Sequence, residues 1–487
     1  MMRSNLVPLA AGLMMLAGCA PGRQSSLTGG TTGAGGGPGS GGSLASGGAA
    51  TTLGQGASVA GGGGAEAGGS VLAGGAGAGG KASGAGGGVA GSGGASPAGG
   101  ASGASGSGGS VAPDAAAGGQ SGAGGGGTSA AGGQAGSGGA AGSSGTGPQG
   151  PCDIYQGATP PTPCVAAHST VRALYGAYTG PLYQVRNAAN SLKDIPVGAD
   201  GYVDISVQDT FCSGTTCTIA TIYDQSPNKN NLTKSPTCLW LPNGGVEASA
   251  TQGKISINGH TAYGVYVDNT GDQSNSVGYR NNSTKGVPTG DNPEATYMVL
   301  DGTRSSSICC FDYGNVETDG KDDGNATMEA IYWGTDSQFG QSGGGNGPWV
   351  AADLENGMFE GYENGSEKVP SNTSITGWAY VTAMLKGLSA PSCPTGLTSS
   401  GCFELKAANA ASGKLQVKFN ADTGTYGARP PGYTPMKKQG AIVLGTGGDG
   451  SNFGQGTFFE GVITEGAPPD SIDDLIQANI VAAGYGK

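Results

Sequence analysis

The chain has 487 residues, of which only 11% are charged, and a net charge of −12. An acidic chain without Lys/Arg clusters lacks the electrostatic footprint of a nucleic-acid-binding or anionic-lipid-binding protein and suits an uncharged ligand better. Two histidines, His168 and His260, and no zinc-like cysteine spacing leave no metal centre or cofactor to expect.

The N-terminus reads as a short export signal. Arg3 supplies the positive charge, Leu6 to Leu16 is apolar, and Leu16-Ala17-Gly18-Cys19 closes the segment. A small-residue site ending in cysteine resembles the bacterial lipobox, so residues 1–19 are expected to be a lipoprotein signal peptide with Cys19 lipidated. Ala20 after the cysteine implies outer-membrane or cell-surface placement, with release into the medium as the alternative. No later segment has the 18 or more apolar residues of a membrane span. The membrane is thus a partner only through a lipid anchor.

Residues 20–150 are nearly all Gly, Ala and Ser, and every aromatic residue lies at Tyr155 or beyond. Such a segment cannot bury enough apolar surface to offset its ordering entropy, so a disordered linker is predicted. Its r.m.s. span would be roughly 60 Å. Residues 1–150 hold three basic and two acidic residues, so the remainder carries −13.

Residues 151–487 are long enough to form one domain with a full core. Short runs rich in β-branched and aromatic residues recur between turn residues: AYGVYV from Ala262, TYMVL from Thr296, WVAADL from Trp349, GAIVLG from Gly440 and GTFFEGVIT from Gly456. Many strands without long intervening helices predict an all-β sandwich. Helices are expected near Val165–Tyr175 and Ser471–Ala483, the second opened by Asp470, Asp473 and Asp474.

Cysteine spacing suggests the pairs Cys152–Cys164, Cys212–Cys217, Cys309–Cys310 and Cys393–Cys402, with Cys238 left over, though spacing alone leaves other connectivities open. Oxidising surroundings outside the cytosol favour such bridges. The adjacent pair is unusual. Neighbouring Cα atoms are about 3.8 Å apart, below the roughly 4.4 Å of ordinary disulfides. A bridge there would make a stiff sulfur plate for a small ligand; otherwise each sulfur pairs elsewhere or stays a thiol.

Two acidic motifs follow. In Trp349 to Asn356, alternation puts Trp349, Ala351, Asp353 and Glu355 on one sheet face. Carboxylates two residues apart repel, and at least one pKa rises unless a partner or solvent compensates. Asp449 in GTGGDGSN follows a strand ending in glycines, which allows close backbone approach to a ligand; a plain Gly-Asp-Gly hairpin turn is the other reading. The G-x-S-x-G match at Gly340 to Gly344 lacks a strand-elbow-helix context. The calcium-like run Asp319, Asp323, Gly324 has Lys321 in a ligand position.

These residues, in this order, resemble the catalytic domain of α-L-arabinofuranosidase B, glycoside hydrolase family 54. The likeness runs through GPCDIY, PCVAAHSTVRALY, QDTFC, CCFDYGN, MEAIYWG, GPWVAADLEN, GARPPGYTPM, GAIVLGTGGDGSN and QGTFFEGV. The resemblance implies a β-sandwich of the concanavalin/laminarinase-like kind with a few short helices. It implies Glu355 as nucleophile and Asp449 as general acid/base. Asp353, Asn356 and Gly448 are expected to contact the sugar, with bonded Cys309–Cys310 lying against it. Phe339 stands where the family has a tryptophan, keeping an apolar face but no indole N–H. The family's C-terminal arabinose-binding β-trefoil is not expected here. The implied activity is retaining, exo-acting release of arabinofuranose from arabinan or arabinoxylan, by a monomer whose partners are arabinose-containing plant polysaccharides. A sugar-binding sandwich without catalysis, or a glycosidase for β-xylosides or galactofuranosides, are the alternatives.

Overall fold

A computed structural model of the chain describes residues 148–271, 275–419 and 425–487. The export signal, Cys19 and nearly all of the 20–150 linker lie outside the described residues. No described helix is long and apolar enough to cross a membrane.

Two large sheets form a sandwich. In the first, the order is Cys164–Ser169, Gln455–Glu465, Glu294–Asp301, Tyr380–Leu388, Cys402–Asn409 and Gln416–Val417; Val265–Asp268 and Gly427–Ala428 pair at its margins. The second sheet has ten strands. Its site-bearing half runs Met358–Phe359, Trp349–Asp353, Glu329–Gly334, Asp312–Val316, Ala441–Leu444 and Tyr279–Asn281, antiparallel throughout.

Alternation sorts the two faces of this half. Tyr313, Ile331, Val350, Ala352, Ile442 and Leu444 belong to the main core between the sheets. Their neighbours point the other way and form two small buried clusters, one of Cys309, Cys310, Tyr332, Ala351 and Met358, the other of Val316, Met328, Ala330, Ala441 and Val443. Asp312 and Asp353 share that outer face by the period-2 rule. Gly314 makes the close strand approach possible, because a Cβ there would come 2.5 Å from Ala330 Cα.

Among the described residues the α-helices are Pro151–Gln156, Ile205–Phe211 and Asp470–Ala482. The last agrees with the sequence expectation. The helix expected near Val165–Tyr175 is instead the strand Cys164–Ser169, wholly buried and paired with Gln455–Glu465. Its alanines favour a helix locally, but a short run buried on both faces is satisfied by a sheet, and pairing decides the outcome. Disulfides join Cys152 to Cys164, Cys212 to Cys217, Cys309 to Cys310 and Cys393 to Cys402, leaving Cys238 a buried free thiol.

Candidate active site

The strand carrying Asp353 ends at that residue. Glu355 therefore does not continue the alternation expected for it. It sits in a turn, with φ of 64° at Glu355 and 57° at Asn356. Left-handed backbone at two successive non-glycine residues costs of order 1–3 kcal/mol each and persists only where surroundings dictate it. Here they do. Leu354 N–H donates to the Gly357 carbonyl (3.1 Å), the Leu354 carbonyl accepts from Ala326 N–H (2.8 Å), and Glu355 N–H donates to Asp353 Oδ1 (3.1 Å). The turn returns Glu355 to the outer face beside Asp353, both buried.

Asp449 lies in the turn Gly447–Gly450, after the strand Ala441–Leu444. The flanking strands belong to different sheets, so this is a crossing loop and not a hairpin. Asp449 Oδ1 accepts from the Ser451 hydroxyl (2.7 Å) and backbone N–H (2.9 Å). Gly448 permits the loop to lie directly on Glu317, since a Cβ at Gly448 would collide with Glu317 Oε2.

The Cys309–Cys310 bridge joins the two acidic motifs. Cys310 Sγ is 3.7 Å from Asp353 Oδ2, and the two sulfurs lie 3.8 and 3.7 Å from Ser451 Oγ. Half-buried Phe339 packs on the same cluster. Seven of the expected residues thus gather here: Glu355, Asp353, Asp449, Gly448, Cys309, Cys310 and Phe339. Asn356 is exposed at the edge, its amide donating to Asp322 Oδ1 at 3.0 Å.

Two further acids were not singled out in the sequence. Asp312 is fully buried, neither of its oxygens meets an N–H or hydroxyl donor among the described residues, and its carboxyl faces Asp353. Glu317 accepts from the Thr327 hydroxyl (2.5 Å) and presents its other oxygen to the Glu355 carboxyl. An ionised carboxylate can only accept, so each facing pair needs a proton between its members. Burial, then Asp353, pushes Asp312 well above the usual carboxylate range. Asp353 rises to about 7 through burial, opposed by the Glu355 N–H and by the proton that Asp312 donates. Burial and the facing Glu317 also raise Glu355, with Asp353 and Asp449 adding repulsion. The Glu355 and Glu317 carboxyls thus share a proton between them. The sequence signal for Asp312 was an acid inside the apolar strand FDYGNV; Glu317, just past that strand, had none.

Arg280 is the buried cation of the site. Its guanidinium donates to the Gly448 carbonyl at 2.5 Å and to the Glu317 carbonyl, tying together the loops that carry Asp449 and Glu317. Burial lowers its pKa, and Glu317 and Asp449 oppose that shift. The arrangement offers protonated and ionised carboxyls side by side in a partly desolvated setting, which is what paired acid/base and nucleophilic chemistry at a neutral substrate requires.

A family model described as alpha-L-arabinofuranosidase B, catalytic, matches residues 151–486. A probable alpha-L-arabinofuranosidase B of Aspergillus fumigatus is 47% identical over 349 residues, covering 69% of this chain and 62% of that protein. An arabinofuranosidase/B-xylosidase of Trichoderma koningii is 46% identical over 348 residues, covering 69% and 63%. The chain therefore spans less than two thirds of the length of these relatives. Among solved structures, an arabinofuranosidase complexed with arabinofuranosyl-alpha-1,2-xylobiose superposes with a TM-score of 0.61 at 43% identity, covering 69% of this chain and 66% of that one. A GH54 α-L-arabinofuranosidase soaked with a cyclic sulfate inhibitor gives 0.60 at 43% identity, with the same coverage.

Proposed function

The chain belongs to the α-L-arabinofuranosidase B catalytic family, and from that premise we propose that it is a retaining, exo-acting α-L-arabinofuranosidase releasing terminal arabinofuranose from arabinan or arabinoxylan side chains. The observation that carries this reading is the grouping of Asp353, Glu355 and Asp449 around the Cys309–Cys310 bridge.

A retaining glycosidase uses one carboxylate to attack the anomeric carbon and a second carboxyl to protonate the departing oxygen. Glu355 forms the bond to the anomeric carbon while Asp449 gives its proton to the glycosidic oxygen, releasing the rest of the polymer. Asp449, now a carboxylate, takes a proton from water, whose oxygen displaces Glu355 and restores the original configuration. Asp353 hydrogen-bonds sugar hydroxyls. Asn356 and the Gly448 backbone contact the same ring. The sulfur pair and Phe339 give it an apolar wall.

Cys19 carries lipid, residues 20–150 act as a leash, and the catalytic domain works outside the cytosol, where its disulfides are stable. Palmitate labelling of the full chain that is lost in Cys19→Ala checks the anchor.

The test of the activity uses the full chain and an aryl α-L-arabinofuranoside. The wild type should release the phenol, and Glu355→Gln should lose at least 10³-fold in kcat. Asp449→Ala should spare substrates with good leaving groups and, with added azide, yield the α-azide. A β-azide, or undiminished turnover by Glu355→Gln, would overturn the assignment.

A further inference from the structure

Cys238-Leu239-Trp240-Leu241 places two large apolar side chains in water beside the site: Leu239 is 52% and Trp240 51% exposed. A single exposed apolar residue is ordinary. Two adjacent ones on a rigid segment form an apolar surface that asks for a ligand. The segment is firmly held. Leu239 N–H donates to the Gly320 carbonyl (2.9 Å), Trp240 N–H to the Asp449 carbonyl (3.0 Å), and the Asn452 amide to the Trp240 carbonyl (3.0 Å). Beneath it, Cys238 fills gaps left by two glycines: a Cβ on Gly320 would come 2.7 Å from its Sγ, and one on Gly450 2.5 Å from its Cβ. Packing and hydrogen bonds thus fix this segment to the two loops that follow Glu317 and carry Asp449.

We infer that Trp240 is the platform for the leaving-group sugar, a neutral pyranose ring of the polymer backbone bearing the arabinofuranosyl branch. The inference rests on the arabinofuranosidase reading. A general acid must reach the glycosidic oxygen, so the ring beyond that oxygen lies next to Asp449, the residue to whose carbonyl the Trp240 main chain is hydrogen-bonded. A chair-form pyranose presents a flat face of C–H groups, which an indole covers while the hydroxyls stay in water. The domain's negative charge is no obstacle to an uncharged ring.

The experiment compares two substrates with the full chain: methyl α-L-arabinofuranoside, whose aglycone is too small to reach Trp240, and arabinofuranosyl-α-1,2-xylobiose. Trp240→Ala should lower kcat/KM for the oligosaccharide about tenfold and leave the methyl glycoside within twofold. Trp240→Phe should keep most of the oligosaccharide rate. Equal losses on both substrates would make Trp240 a structural residue and overturn the inference, as would no loss on either. A wild type inactive on both would overturn the enzyme reading itself, and the platform with it.

Discussion

Glu355 cannot attack a sugar while it holds a proton, and Glu317 is the group facing that proton. With both carboxyls buried beside Asp353 and Asp449, the pair carries one negative charge, and turnover requires the proton to move to Glu317 or to leave. Replacing Glu317 with Gln removes one charge and supplies an amide donor to Glu355. The acid limb of kcat/KM should then move about one pH unit or more toward lower pH. Thr327 and Arg280 touch Glu317 without titrating in that range, and Asp353 and Asp449 persist in the variant, so the shift reports this contact. An unmoved acid limb in a folded variant would remove Glu317 from the proton balance. At the edge, Asp322 holds the Asn356 amide; Asp322→Ala should raise KM a few-fold with little change in kcat, measured on the same aryl substrate. Asp353 and Glu355 stood out as paired acids in one short run, whereas Asp449 was marked only by the family resemblance, since GTGGDGSN by itself fits a hairpin turn as well. Asp312 was only half legible: an acid inside FDYGNV marks it as unusual, but it meets Asp353 only because the strand Glu329–Gly334 lies between theirs in register, and that pairing leaves no local trace.

At the level of elements, the site is held by strand ends and the loops that leave them. Asp353 closes one strand, Glu317 follows a second, Asp449 follows a third, and Arg280 on a fourth binds the carbonyls of two of those loops. Arg280→Met keeps much of the volume but leaves two buried carbonyls without their donor, at about 1–3 kcal/mol each. We expect kcat to fall tenfold or more with a smaller change in KM, because Asp449 loses its placement while, of the sugar contacts, only that of Gly448 is disturbed. An unchanged kcat would show that the loops hold themselves. Strands rich in β-branched residues, such as Thr296 to Leu300, and the helix with acids in its first turn were plain from local pattern. The strand Cys164–Ser169 was not, because its composition fits a helix equally well and only its partner strand decides. For the same reason the turn at Glu355 looked like continuing strand, since nothing in DLEN announces left-handed backbone.

Across the whole molecule, buried acids set how stability depends on pH. Glu360 is fully buried and held up to about 8 by desolvation, its own backbone N–H opposing and Asp336 adding to the rise. Glu294 rises to about 7 through burial, opposed by Lys438 and supported by Glu329. The sign follows from proton counts. Below about pH 4.5 these carboxyls are protonated in both folded and unfolded chains, and their contribution is fully present. As pH rises toward 7–8 the unfolded chain releases protons that the folded chain keeps, so stability falls until the folded groups ionise too. Asp470 opposes this at the acid end: its carboxyl, partly buried but hydrogen-bonded to Lys386 and Lys406, is lowered to about 2, so its stabilising effect is lost below the usual Asp range. Thermal stability should therefore peak near pH 4–5.5 and decline toward pH 8. For Glu360 alone the upper limit is about 5 kcal/mol, and relaxation with water entry leaves a fraction of it. Glu360→Gln is nearly isosteric with the protonated acid. It should leave Tm almost unchanged at pH 5 and raise it by about 2–4 °C at pH 8, read by scanning calorimetry of the full chain. Equal effects at both pH values would mean that Glu360 titrates alike in the folded and unfolded chains, and the decline would then have to come from Glu294 and the carboxyls of the site.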